Sequence, residues 1–236
     1  MPGYLKSILF AVILCVVCSL LLTAASTGLK PLQQRNIAAD RQRNILTAFN
    51  IVNGAQDLSQ EEIVRLYNEN IRMAWADRSG KLVSETQRAP GDLPLYLYLQ
   101  NDAIRAYAVP IQSRGLWGRI DAYMAIEDDG STVRGFTVFQ HAETPGLGGE
   151  IEAPWFRQQF EGKKITDAQG RFVSVGIAKG AAEKAVPPEK QANYVDGISG
   201  ATLTGQFLSS GMAEVLKQYE PVSAAFRRNE TGGKAP

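Results

Sequence analysis

The sequence predicts an α+β protein. One transmembrane helix leads into a single soluble domain with an antiparallel or mixed sheet and flanking helices. Three observations carry this reading. Residues 8–25 form an uncharged apolar run, residues 95–141 hold period-two segments joined by tight turns, and helical-period segments lie on both sides of that block.

The apolar run "ILFAVILCVVCSLLLTAA" contains no charge, Gly or Pro. At helical rise, its length reaches roughly 27 Å, just short of a bilayer's hydrocarbon core. A cleaved leader ending at Thr23–Ala24–Ala25 is the competing reading, for which the run is slightly long. Residues 1–7 are then a short tail. Lys30, Arg35, Arg41 and Arg43 follow the run, against Lys6 before it. The positive-inside rule alone would keep the downstream side cytoplasmic, but long domains translocate largely regardless of charge, so charge leaves the topology open. Cys15 and Cys18 share a face of the run and read as small hydrophobes in lipid.

Residues 26–50 read as a helical connector, with Ile37, Ala38, Ile45 and Phe49 on one stripe. The soluble domain is expected over 51–225, with a flexible tail at 226–236. Segment 58–71 is a helix with a capping box, Ser59 as N-cap and Glu62 three residues on. Residues 88–92, "RAPGD", form a loop. Residues 95–100, 104–111, 119–127 and 133–141 read as strands, the first two joined by Asn101–Asp102 and the last two by Asp128–Asp129–Gly130. Such short connections favour antiparallel pairing, because parallel neighbours need a long crossover. Segment 153–160 is a short helix with Pro154 near its start. Residues 171–178 read as a further strand, followed by a loop. Residues 203–219 form a helix with one apolar face, and the chain from Arg227 onward reads as frayed.

Composition excludes several functions. A net charge of +1 over 236 residues offers no basic stripe for nucleic acid. The soluble part has no dinucleotide fingerprint, no cysteine and one His, so NAD chemistry, iron–sulfur clusters and a His-based triad have no residues to use. No catalytic residue and no metal site is assigned.

Two stretches stand out. "VDGISGATLTGQF" (195–207) gathers Gly197, Ser199, Gly200, Thr202 and Thr204 at a helix start. Unpaired backbone N–H groups and the helix dipole favour a phosphate there. The hydroxyls of Ser199, Thr202 and Thr204 can donate to phosphate oxygens, or one can carry a phosphoester. Simple helix capping explains the same composition. "HAETPGLGGE" (141–150) places His141, Glu143 and three glycines in a shaped loop after a strand. A structural turn is the plain reading, and a functional loop the other.

Together with "GLWG" (115–118), "PLYLYL" (94–99) and the N-terminal anchor, these stretches resemble the C subunits of the sodium-pumping NADH:quinone oxidoreductases. The likeness runs from the anchor through "EVLKQYEPVSAAFRR" (214–228). The G subunit of the related Rnf electron-transport complex shares "ETPGLG" and "SGAT" and is the alternative relative. A non-redox anchored module that binds a free phosphorylated ligand is the alternative function.

The resemblance implies an electron-carrying, single-pass subunit of the bacterial inner membrane. Its domain is periplasmic, and its FMN is joined by a phosphoester to Thr202 of Ser199–Gly200–Ala201–Thr202. It implies maturation by a flavin transferase that uses FAD and magnesium, and partnership with the other subunits of a membrane complex. Trp117, Thr144, Leu147 and Gly148 are implied near the flavin ring. Lys179 in "GIAKG" is matched by position alone.

Overall fold

The computed structural model describes residues 2–53 and 56–230. The start residue, positions 54–55 of the expected domain and positions 231–236 of the expected tail lie outside the described residues. The chain divides into two compact units, Met1–Asp40 and Arg41–Pro236. Helix α1 (Gly3–Ala48) covers both the apolar run and the expected connector, with Pro31 inside it. In the first unit an eighteen-residue window reaches a mean hydropathy of 2.9, and its side chains are exposed. That is long and apolar enough to cross a bilayer. Cys15 and Cys18 are free thiols on this helix.

The second unit is built on six antiparallel strands. They are β1 (Ile71–Ala76), β2 (Leu82–Val83), β3 (Leu93–Gln100), β4 (Ala103–Arg114), β5 (Arg119–Glu127) and β6 (Val133–Gln140), in the order β2-β1-β3-β4-β5-β6. Asn101 and Asp102, at φ +53° and +61°, make the two-residue turn between β3 and β4. Both central residues of such a hairpin turn are left-handed, which Asn and Asp tolerate.

Helices cover both faces of the sheet. On one face Leu208, Met212 and Leu216 of α5 (Thr202–Gln218), with Val222 and Phe226 of α6 (Glu220–Arg227), pack against Tyr107, Val109, Ile111 and Met124. On the other face Ile45, Leu46 and Phe49, with Ile63 of α2 (Gln60–Asn70), pack against Tyr96, Ala106, Ala108 and Tyr123. The central strands are therefore buried on both sides, and β5 is buried from Ile120 to Ile126. Residues 41–49 thus contribute core to the domain, beyond the linker role expected of them.

The capping box of α2 forms as expected, with reciprocal bonds between Ser59 and Glu62. The short helix at 153–160 resolves into α3 (Pro154–Arg157) and a following 3-10 turn, and a further short helix, α4, spans Ala182–Ala185. Three expectations change. The helical pattern of 58–71 stops at Asn70, because Ile71 onward pairs with β3 along the full length of β1. The strand expected at 171–178 shrinks to β7 (Gly176–Ile177), since Ser174 turns at φ +69° and both Val173 and Ser174 donate to the Ile165 carbonyl. Beside β7 lies β8 (Tyr194–Val195), paired parallel in a small second sheet. The helix expected to end at Tyr219 continues after a break and takes in Phe226 and Arg227 of the expected tail. Pro221 restarts it as α6, where Tyr107 Oη donates to Ser223 Oγ at 2.7 Å and stacks on Phe226 at 4.6 Å. Arg227 donates to the Gly130 carbonyl at 2.8 Å and pairs with Glu220.

Candidate functional site

Three chain segments converge at one end of the sheet. The "GLWG" turn joins β4 to β5 and is closed by Gly115 N–H donating to the Gly118 carbonyl at 2.6 Å. β6 ends beside the start of β5, with Gln140 opposite Asp121, and delivers the 141–147 loop to the same end. Helix α5 begins at Thr202 and runs back along β4, where Ser113 Oγ donates to the Phe207 carbonyl at 2.8 Å.

Glu143 ties the three together. It is 5% exposed, an unusual burial for a carboxylate unless it is paired. Its Oε1 accepts from Trp117 N–H at 3.0 Å and its Oε2 accepts from the Thr204 hydroxyl. The glycines on either side are required by its position. A Cβ on Gly115 would lie 2.4 Å from Glu143 Oε1, and one on Gly148 would lie 2.7 Å from both Glu143 Oε2 and Thr204 Oγ1. Glu143 N–H also donates to His141 Nδ1 at 3.1 Å, and His141 Nε2 lies 3.2 Å from Glu152. With Nδ1 accepting, the ring proton sits on Nε2 and faces the Glu152 carboxylate. Both His141 and Glu143 thus find their partners within the chain.

The 141–150 loop is wound around one carbonyl. Thr144 O accepts from Leu147 N–H at 3.1 Å and from Gly149 N–H at 2.9 Å. This leaves the Thr144 side chain exposed and Leu147 at 44% exposure. Leu147 reaches the "SGAT" turn, since a Cβ on Gly200 would meet Leu147 Cδ2 at 2.8 Å. Gly200 is also at φ +75°, so both sterics and backbone favour glycine.

Thr202 is the first residue of α5 and is exposed, as is Ser199. No side chain caps the helix, whose cap position is occupied by Ala201. The plain capping explanation of the hydroxyl residues therefore does not describe their arrangement. The first-turn N–H groups are left with the partial positive charge that attracts anions. Thr204 departs from expectation: its hydroxyl, in a residue 1% exposed, is committed to Glu143 and turned away from Thr202. Lys179 is exposed and joins by a separate route, because Gly197 N–H donates to the Gly180 carbonyl at 2.8 Å. Trp117 is 69% exposed and Leu203 50% exposed, so the mouth of this site is lined with uncovered apolar surface.

The site thus offers an exposed hydroxyl at an uncapped helix start and exposed apolar side chains. That donor set fits a phosphate-bearing group with a flat apolar ring, FMN included. Glu143 is the residue whose role sequence reasoning left open. The available signal was a carboxylate two residues after the one His of the chain, at the head of the glycine motif.

The FMN-binding domain family model matches residues 115–217, a span that opens at the Gly115 turn and closes in α5. The C subunit of the Na(+)-translocating NADH-quinone reductase of Yersinia pestis is 36% identical over 227 residues, covering 84% of this chain and 83% of that protein. The corresponding protein of Vibrio campbellii is 32% identical, covering 81% and 82%. The crystal structure of the Na(+)-translocating NADH-quinone reductase C subunit from Parabacteroides distasonis matches with a TM-score of 0.70 at 29% identity, covering 83% of this chain and 96% of that one.

Proposed function

The chain belongs to the family of C subunits of Na(+)-translocating NADH-quinone reductases, and from that premise we propose that it is a membrane-anchored electron-carrying flavoprotein whose FMN is held as a phosphoester on Thr202. When bound, FMN supplies reversible electron transfer. The rest is done by the chain. Thr202 provides the linking oxygen. The N-terminus of α5 stabilises the remaining diester charge, and Lys179, on the segment bonded to Gly197, is the cation assigned to it. Trp117 and Leu147 cover part of the ring, and stacking on Trp117 contributes about 0.5–1.5 kcal/mol beyond area burial. Glu143 holds these parts in register.

A tether suits a relay. A ring exposed to donor and acceptor buries little surface and binds weakly by itself. A covalent link removes dissociation and sets a high local concentration. The chain has no nicotinamide fingerprint and no cluster ligands in its soluble part, so NADH oxidation and ion translocation fall to partner subunits. The same reading puts the anchor in the inner membrane, the domain in the periplasm, and a flavin transferase in the maturation pathway.

The observation that carries the proposal is the exposed hydroxyl of Thr202 at an α5 start that no side chain caps. The test is mass spectrometry of the tryptic peptide 191–217 from protein produced together with its transferase. An FMN adduct on Thr202 is expected, and the protein band is expected to fluoresce in a denaturing gel. An unmodified peptide and a dark band would remove the proposal and favour a module that binds a free phosphorylated ligand.

A further inference from the structure

His141 is the one histidine of the chain, and both of its ring nitrogens are used. Nδ1 accepts from the Glu143 N–H at 3.1 Å, and Nε2 lies 3.2 Å from Glu152 at the far end of the 3-10 turn Gly148–Glu152. Only the neutral ring with its proton on Nε2 does both at once, because one nitrogen must accept while the other donates. The ring edge also reaches Gly149, where a Cβ would lie 3.5 Å from His141 Cε1 and 3.1 Å from the Thr144 carbonyl. One side chain thus fastens the head and the tail of the loop that carries Thr144 and Leu147.

The fastened head bears on the rest of the site. Ala142 packs on the "GLWG" turn, since a Cβ on Gly118 would lie 2.9 Å from Ala142 Cβ. The backbone held by His141 belongs to the residue whose carboxylate joins Trp117 N–H to the Thr204 hydroxyl. The His141 side chain is 13% exposed and that of Glu152 63% exposed. Water therefore screens the Glu152 contact, which contributes little, and the part-buried bond to Glu143 does the positioning.

We propose that His141, as the neutral Nε2–H ring, is the positioning residue of this site: it orients Glu143, and through Glu143 both Trp117 and the start of α5. Its bearing on a flavin rests on the attachment proposed above, while the positioning of Glu143 does not. A second proton on the ring has to enter at Nδ1, where the Glu143 N–H already points. Two donors then face each other, and the ring must release the amide. The charged groups around the ring are Glu152 and Glu150 on the 3-10 turn, Arg157 of α3, which feels the charge of Glu152, Arg43 of α1 in the same cleft, and the buried Glu143. On the β5 side, Arg119 is paired with Asp121 at 2.8 Å.

The experiment uses full-length, FMN-loaded protein in detergent, without a histidine tag and isotope-labelled for imidazole nitrogen NMR. With a single histidine the spectrum has one assignment, and Nδ1 is expected as the bare nitrogen and Nε2 as the protonated one. Between about pH 8 and about pH 5, the visible circular dichroism of the flavin should step with the same midpoint as the imidazole signal. H141N puts a carbonyl oxygen where Nδ1 stood and keeps the bond to the Glu143 N–H. It should retain the parent dichroism and lose the step. H141L should alter the dichroism at every pH. Mere loss of packing would lower stability in both variants alike and leave no step tied to the imidazole.

The T202V background, which takes no adduct, tests the positioning without flavin. There the Glu143 amide should exchange about tenfold faster with H141L than with H141N at one pH. A failure of attachment removes the dichroism and leaves this comparison readable. A proton found on Nδ1 of the neutral ring overturns the proposal. So does a Glu143 amide equally protected in the two variants, or a dichroism step that persists in H141N. Should H141L fail to fold, the tautomer and the H141N titration decide by themselves.

Discussion

The Thr204 hydroxyl donates to Glu143 Oε2 at 2.5 Å, joining the start of α5 to the loop that leaves β6, sixty-one residues earlier in the chain. Both residues are buried, and the second carboxylate oxygen holds the backbone of Trp117. One side chain therefore sets the relative position of the ring-covering residues and the helix that begins at Thr202.

Removing either partner should cost more than an ordinary surface change. T204V leaves a buried carboxylate short of a donor, and E143A leaves a buried hydroxyl and an amide unpaired. Each should destabilise the protein by about 1.5–3 kcal/mol, as hydrogen bonds to charged groups do. The double variant should be less destabilised than the sum, with a coupling of about 0.5–3 kcal/mol. Urea unfolding of the four proteins measures it, and strict additivity would refute the tie.

G148A attacks the same junction without removing a polar group. The new Cβ would sit 2.7 Å from both bonded oxygens, so the carboxylate or the loop must move. A loss of about 1–3 kcal/mol is expected for such overpacking. Stability equal to that of the parent protein would show that the junction has room the packing denies.

T202V should abolish the FMN adduct and leave unfolding unchanged within about 0.5 kcal/mol, since residue 202 is exposed. T202S retains a hydroxyl and should recover part of the adduct. Peptide mass and a melting curve on the same samples separate attachment from folding.

Alkaline pH should expose the burial of two tyrosines beside Arg41. Desolvation is the main cause that pushes Tyr67 and Tyr123 up to about 12, against partial relief from Arg41. A tyrosine in the unfolded chain ionises near 10. The raised folded values favour the neutral form, so their contribution is complete below pH 10 and is lost as pH rises from about 10 to 12. Ultraviolet titration should show Tyr67 and Tyr123 ionising late, with the buried Tyr107 and Tyr219 later still, and thermal stability should fall across that window. Y67F should lessen the fall.

Acid should act through Asp129. Burial raises its carboxyl, but bonds from Thr132 and Ser131 and the charge of Lys164 outweigh this and hold it below its usual value. A depressed folded value gives stability that is present above about pH 4 and lost below it. D129N should be less stable at neutral pH and should lose less on acidification. A melting series from pH 7 to pH 3 compares the two.

Much of the architecture was legible because local rules wrote it. The capping box at Ser59–Glu62, the Asn101–Asp102 turn and the period-two strands of the meander all arise from neighbours in sequence. Short strands without a local signature were not. β1 begins where a helix ends, and its identity depends on pairing with β3. Segment 171–178 has strand composition, yet Ser174 turns it away and leaves two paired residues. Phe226 and Arg227 at the end of α6 read as tail until Tyr107 and Gly130, more than ninety residues away, supply their partners.

Sequence by itself determined the apolar helix, the meander and the residue types of the site, because helical and strand periodicity and turn preferences act between neighbours. Only the tertiary structure decided which hydroxyl faces outward. Thr202 and Thr204 are two apart on a helix, so about 200° of rotation separates their side chains. One must point to solvent when the other is buried, and the buried Glu143 carboxylate chose Thr204.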